Sequence, residues 1–285
     1  VWVRNNSFLC EIRGCRFAGC SRAGVYLDSL AEFGRAGDFV PNLVSNCHAF
    51  GGGAGFECRR AIVANFIGCV AYQTGGPAFL LREESNSVVI SGCRSFQIRD
   101  DAVRVEQSHE INISSNTFCW HDGNGIVLKG VVWGTVGQNN VIDTGHVNVG
   151  GNPDDQRWTY SVELPEGFDH RAHAKDGVVL EEGTRGLTVT GNAVFNWSSN
   201  VPLRHGIVED SSCSSNLLVA NTVNYCLGDG ILCGGSKSRA ESNESVADLP
   251  LLNTTYIDNG TMHRFDDRKV ARLVAESRGE RPDRV

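Results

Sequence analysis

Nowhere in the 285 residues is there a run approaching the roughly 18 consecutive apolar residues of a membrane helix, so no membrane span is expected. Basic residues are the minority: 26 Lys and Arg face 33 Asp and Glu, a formal net charge of −7. Nucleic acid is therefore a poor partner, because phosphate binding needs clustered Lys and Arg. An initiator Met is missing, and Val1-Trp2-Val3-Arg4-Asn5 shows no charged segment leading into an apolar one. These residues read like the middle of a repeat, so earlier repeats, and with them a signal peptide, are expected upstream. No C-x-x-C pair occurs among the eleven Cys residues, an odd number that cannot all pair. Their regular placement reads as buried thiols acting as small apolar residues. What the chain does have is apolar material, 41% of its residues, enough for a substantial core.

Two phrases recur along the chain. The first is Gly before an apolar-x-apolar run, as in Gly24-Val25-Tyr26-Leu27, Gly55-Phe56-Glu57-Cys58, Gly125-Ile126-Val127-Leu128, Gly177-Val178-Val179-Leu180 and Gly230-Ile231-Leu232-Cys233. Ala78 and Ala102 replace the Gly in two further copies, and Gly206-Ile207-Val208-Glu209 ends on an acid. The second phrase is a short strand ending on Cys15, Cys47, Cys69 or Cys93, and later on Asn116, Asn139 or Asn140, Asn192 and Asn221. Intervals of 22, 24 and 23 residues separate Cys47, Cys69, Cys93 and Asn116. That period admits a leucine-rich repeat or a β-helix. Leu is not fixed at the required positions and no helix-period segment intervenes, so short strands joined by tight turns are expected.

The fold class is thus all-β: a solenoid of about eight coils over 1–235, in which the Cys column forms a thiol ladder and the Asn column an amide ladder. Insertions interrupt it at 31–41 and 144–175. A tail over 236–285 reads as a final strand from Leu251 to Ile257, then a helix from Asp266 to Ser277 that would cap the open end of the stack. Phrases such as "GNAVFN" and "DGVVLEE" resemble those of the pectin-lyase-like superfamily of right-handed parallel β-helices, over about 5–235. The resemblance implies fold and, more loosely, an extracellular or periplasmic protein that acts on carbohydrate. It spans lyases, hydrolases, epimerases, transferases and non-catalytic adhesins.

Chemistry has two places to sit. The column before each first-phrase strand reads Ala23, Ala54, Pro77, Asp101, Asn124, Asp176, His205 and Asp229. Asp and Asn before Gly are ordinary turn residues; the functional alternative is a line of acids and one His along a solenoid edge. Asp101 and Asp176 stand two coils apart, roughly 9.6 Å, near the upper end of the spacing of about 6.5–9.5 Å for an inverting glycosidase pair. Asp100-Asp101 is similar to the Asp-Asp element of polygalacturonase-like hydrolases. The flanking elements are Gly75-Gly76-Pro77 and Gly123-Asn124-Gly125, where that family has Asn-Thr-Asp and Gly-His-Gly. His121-Asp122 would substitute only out of register.

Candidate catalytic residues are therefore Asp100, Asp101, Asp176, His205 and Asp229. An outward column of Glu106, Lys129 and Glu181 reads as a salt-bridge ladder or, with Asn124 and Arg104, as substrate-binding groups. Trp158 and Tyr160, in the long insertion, suit sugar stacking or packing on a neighbouring subunit, so a homo-oligomer stays open. The expected partner is a polysaccharide or oligosaccharide, cleaved by a hydrolase or a lyase, the rival being a non-catalytic adhesion or binding protein. No cofactor is expected, except calcium in the case of a lyase, and no ligand spacing marks a metal site.

Overall fold

The computed structural model describes residues 1–4, 9–28, 41–146, 170–196, 203–224, 226–246, 255–258 and 261–264. Among these, short strands build three parallel sheets of nine strands each, one coil more than the phrases indicated. The first sheet runs from Trp2–Arg4 through Ala23–Asp28, Ala54–Arg59, Phe79–Arg82, Val103–Glu106, Ile126–Lys129, Val178–Glu181 and Ile207–Glu209 to Ile231–Cys233. Each of these strands is followed in its coil by one in the second sheet and one in the third, as in Val132–Gly137 and Asn140–Thr144. Arg239–Glu241 and Glu244–Val246 carry the second and third sheets beyond residue 235, into the segment expected to be a tail. Further on, Thr255–Asp258 pairs with Thr261–Arg264 in an antiparallel hairpin. Most of both insertions, with Trp158 and Tyr160, and the 266–277 helix lie outside the described residues.

Strand alternation sends every second side chain inward. Val25 and Leu27, Phe56 and Cys58, Phe79 and Leu81, Val103 and Val105, Ile126 and Leu128, and Val178 and Leu180 are all buried, and form one core with partners from the other sheets. Phe56 and Phe79 stack at 5.2 Å between ring centroids. Each fully buried side chain of this size contributes about 1.5–3 kcal/mol, so the stack needs no cross-links; all eleven Cys are free thiols. The phrase-opening Gly is a packing requirement. A Cβ at Gly206 would lie 1.9 Å from Cγ1 of Val223, the inward residue of the third sheet in that coil.

The Cys and Asn columns perform one task with two chemistries. Cys47, Cys69 and Cys93 each direct Sγ at a carbonyl in the preceding coil, those of Ile12, Val44 and Phe66, at 3.4 Å. Asn116, Asn139, Asn192 and Asn221 donate Nδ2 to Ile90, Ile113, Val136 and Val189 at 2.9 Å. Each Asn Nδ2 also reaches the next Asn Oδ1, at 2.9–3.0 Å, with Asn243 ending the described ladder. Of the adjacent pair Asn139 and Asn140, it is Asn139 that lies in the column. Glu209, the acid at an inward position, is buried and satisfied by Asn216 Nδ2 and Ser238 Oγ at 2.7 Å and by Cys233 Sγ and Gly235 N at 3.2 Å.

Candidate functional site

The corner between third and first sheets brings the Asp, Asn and His column into line, and the backbone there explains most of it. Asp101 Oδ1 accepts the amide of Asn124 at 2.8 Å, Asn124 Oδ1 that of Asp176 at 2.9 Å, and Asp176 Oδ1 that of His205 at 3.0 Å. His205 Nδ1 in turn donates to the Asp229 carbonyl at 3.1 Å. Each side chain thus caps the corner of the following coil, the role expected of turn-forming Asp and Asn. Arginines occupy what remains of the acids. Arg104 Nε bonds Asp101 Oδ2 at 2.8 Å, and Arg204 Nε bonds Asp176 Oδ1 at 3.0 Å. Asp176 is fully buried; Asp229 is exposed.

A cavity of about 530 Å³ opens beside this column, over the outer face of the first sheet. Asp100, Asp101, Arg104, Glu106, Asn124, Lys129 and Glu181 line it, so seven of the sequence-identified residues meet in one place. Asp176, His205 and Asp229 are not part of its lining. Arg99, Asp122, Gly123, Val127 and Lys175 complete the wall. Arg104 ties the acidic side together: its guanidinium also pairs with Asp100, whose Oδ1 accepts the Asp101 amide at 2.8 Å. Lys129 bonds Glu181 at 2.8 Å, and this contact holds the ammonium above its ordinary range.

Asp122 is the acid in this wall whose buried oxygen goes unmatched. It follows the third-sheet strand Thr117–His121, and its Oδ1 is out of solvent without a hydrogen-bond partner. Burial pushes its carboxyl up to about 7, with the Asp100 charge adding to the rise and Arg99 opposing it. Burial also raises Asp101, there against the opposing Arg104 charge. Asp122 stood outside the column by register, and this is why column alignment passed over it. Its signal in the sequence was a polar pair, His121-Asp122, closing an apolar strand just before Gly123-Asn124-Gly125.

Behind this wall His121 is fully buried, with Nε2 at 3.0 Å from Ser95 Oγ and Nδ1 unpartnered. Desolvation, then the neighbouring His146, lowers it to about 3, so it is a neutral ring in the core. Among the described residues no group of three or more His, Cys, Asp or Glu gathers as metal ligands, and no helix is long and apolar enough to cross a membrane.

Comparison with solved structures finds nine chains that match. Tailspike protein 3 of bacteriophage CBA120 is 10% identical, with a TM-score of 0.47, over 90% of this chain and 45% of the tailspike; the chain thus spans less than half of that protein. The A-module of mannuronan C-5 epimerase AlgE6 from Azotobacter vinelandii is 12% identical, with a TM-score of 0.28, over 84% of this chain and 91% of the module. The GH136 lacto-N-biosidase of Eubacterium ramulus is 10% identical, with a TM-score of 0.35, over 85% and 60% respectively. No curated protein sequence matches. A family model described as the right handed beta helix region matches residues 1–164, more than half of the chain, and agrees with the three parallel sheets. The chain belongs to this right-handed β-helix family.

Proposed function

We propose that this protein hydrolyses glycosidic bonds of a polysaccharide in the cavity beside Arg104. The observation that carries the reading is the placing of Asp122, with its unmatched buried oxygen, in one wall with the Arg104-bound pair Asp100 and Asp101. Asp122, protonated near neutral pH, gives its proton to the departing glycosidic oxygen. Asp100, paired with Arg104, takes a proton from the water that attacks the anomeric carbon. The C–O bond to the leaving sugar breaks as the new C–OH bond forms; Asp100 then releases its proton to solvent, and solvent reprotonates Asp122. Lys129, Glu181, Glu106 and Lys175 supply hydrogen bonds for the flanking sugar hydroxyls or carboxylates.

Hydrolysis is favoured over elimination by a Lys or Arg base, because such a side chain must be neutral to take the α-proton. Lys129 and Arg104 are both held on carboxylates, which raises them away from that role. The rival reading, a non-catalytic binding protein, draws on the structural use made of Asp101 and Asp176.

A panel of neutral and acidic polysaccharides separates these readings when scored for reducing ends and, in parallel, for unsaturated uronate absorbance. Reducing ends without unsaturation, falling by at least about 100-fold in Asp122→Asn, are the expected result. Unsaturated products, or an Asp122→Asn variant as active as the parent, would overturn the hydrolytic assignment. Binding without cleavage across the panel would place the protein among the adhesins.

A further inference from the structure

On the second sheet, away from the cavity, Trp133 is 61% exposed in the strand Val132–Gly137. A lone exposed apolar residue is ordinary; what sets Trp133 apart is how its indole is seated. The backbone at Trp133 lies in the left-handed region at φ 60, within a column of outward bulges that includes Ser87 and Glu110, both at φ 52. In the following coil this column holds Gly186, between the register pairs Val132–Arg185 and Gly134–Leu187. A Cβ at Gly186 would lie 2.5 Å from Trp133 Cδ1 and 3.1 Å from Nε1. The indole therefore fills the space a side chain at 186 would take. It rests on bare backbone, and its remaining surface faces solvent.

The surroundings define what would cover it. Asn112, Thr135 and Thr188 are aligned across three coils of the same sheet and reach the surface. In the two preceding coils Ser87 Oγ donates to Glu110 Oε2 at 2.6 Å. Trp133 is thus a single apolar surface inside a polar rim, not part of the contiguous apolar patch that a protein or lipid partner would use. A pyranose ring has the complementary form: a face of C–H bonds that packs on an aromatic surface, and an edge of hydroxyls for the Glu110 carboxylate and the Thr hydroxyls. We propose that Trp133 is the platform of a second carbohydrate site, on the second sheet, which takes a pyranose ring of a polysaccharide on its open face. This site needs no chemistry from the cavity and would hold a long chain on the protein outside it.

Affinity electrophoresis of the full chain through gels containing dextran, soluble xylan or polygalacturonate tests this by binding alone. At least one polysaccharide should retard the parent protein. In Trp133→Ala the apparent Kd should rise by about tenfold or more, and Trp133→Phe should recover part of the loss, with circular dichroism unchanged in both. Parent protein unretarded in all three gels, or Trp133→Ala retarded like the parent, would overturn the proposal. A Trp133→Ala variant that changes only sedimentation would show instead a contact between copies of the chain, and would also overturn it.

Discussion

Asp101 divides its carboxylate between two neighbours, Oδ1 accepting the Asn124 amide one coil on and Oδ2 accepting Arg104 Nε, both at 2.8 Å. An acid so occupied holds the corner in place and sets the position of Arg104 against Asp100. Asp101→Asn should therefore lower stability by about 1.5–3 kcal/mol, the worth of a hydrogen bond to a charged group. Asp122→Asn removes no hydrogen bond and should leave the fold intact while cleavage is lost. Urea unfolding and reducing-end release, measured on both variants, check the contrast; the reverse pattern would reassign the proton donor.

The same Asp122 has an unusual effect on stability. Its carboxyl is raised from 3.8 to about 7, so the folded chain binds the proton more tightly than the unfolded chain does. That contribution is fully present below the unfolded value and is lost as pH rises through about 7. Asp122→Asn should then melt above the parent protein at pH 8 and level with it at pH 4, the gain being on the order of 1 kcal/mol after solvent screening. Thermal scans at the two pH values decide it. Cleavage by the parent should decline over the same alkaline limb.

His121 works in the opposite direction. Its folded value, about 3, lies below the unfolded 6.5, so its neutral ring favours folding above the unfolded value. That advantage is lost as pH falls from 6.5 toward 3, up to on the order of 4 kcal/mol for a fully buried group. His121→Gln keeps an acceptor and donor for Ser95 and removes the titration. Its unfolding free energy should fall less than the parent's between pH 7 and pH 4; equal losses would show that other groups govern acid sensitivity.

The ladder yields a graded test at Asn139. Asn139→Ala strips the Ile113 carbonyl and the Asn116 amide of their partners, at a cost of about 2–4 kcal/mol. Asn139→Cys should cost about half as much, because Cys93 already directs Sγ at Phe66 O and accepts the Cys69 amide in the same column. Urea midpoints should rank parent, Cys, then Ala. Equal midpoints for the two variants would mean that the column acts only by filling space.

The fold was legible because its causes repeat. Gly opens the first strand where an Ala, Val or Ser from the third sheet takes up the space, and Cys or Asn ends the second where a carbonyl waits in the coil before. The site was legible only in part. Column alignment marked Asp101, Asn124, Glu106, Lys129 and Glu181, and the Asp-Asp resemblance marked Asp100, but a column shows which residues stack and not which of them are spent on stacking. Asp101 and Asp176 read in sequence as turn residues or as candidate acids, and amides and arginines consume them; Asp122 stood out of register and has the unmatched oxygen in the cavity wall. Burial and hydrogen-bond supply, which set that difference, depend on how the corners close in three dimensions.

The ladder step from Asn116 to Asn139 spans 23 residues, and the step from Asn139 to Asn192 spans 53, yet both close at 2.9 Å. Contour length between neighbouring rungs is thus decoupled from their spacing. A corner of this solenoid behaves like a socket: segments of very different size can be plugged in, and the adjoining rungs meet as before. Such a scaffold can exchange the equipment beside its cavity without renegotiating the stack that supports it.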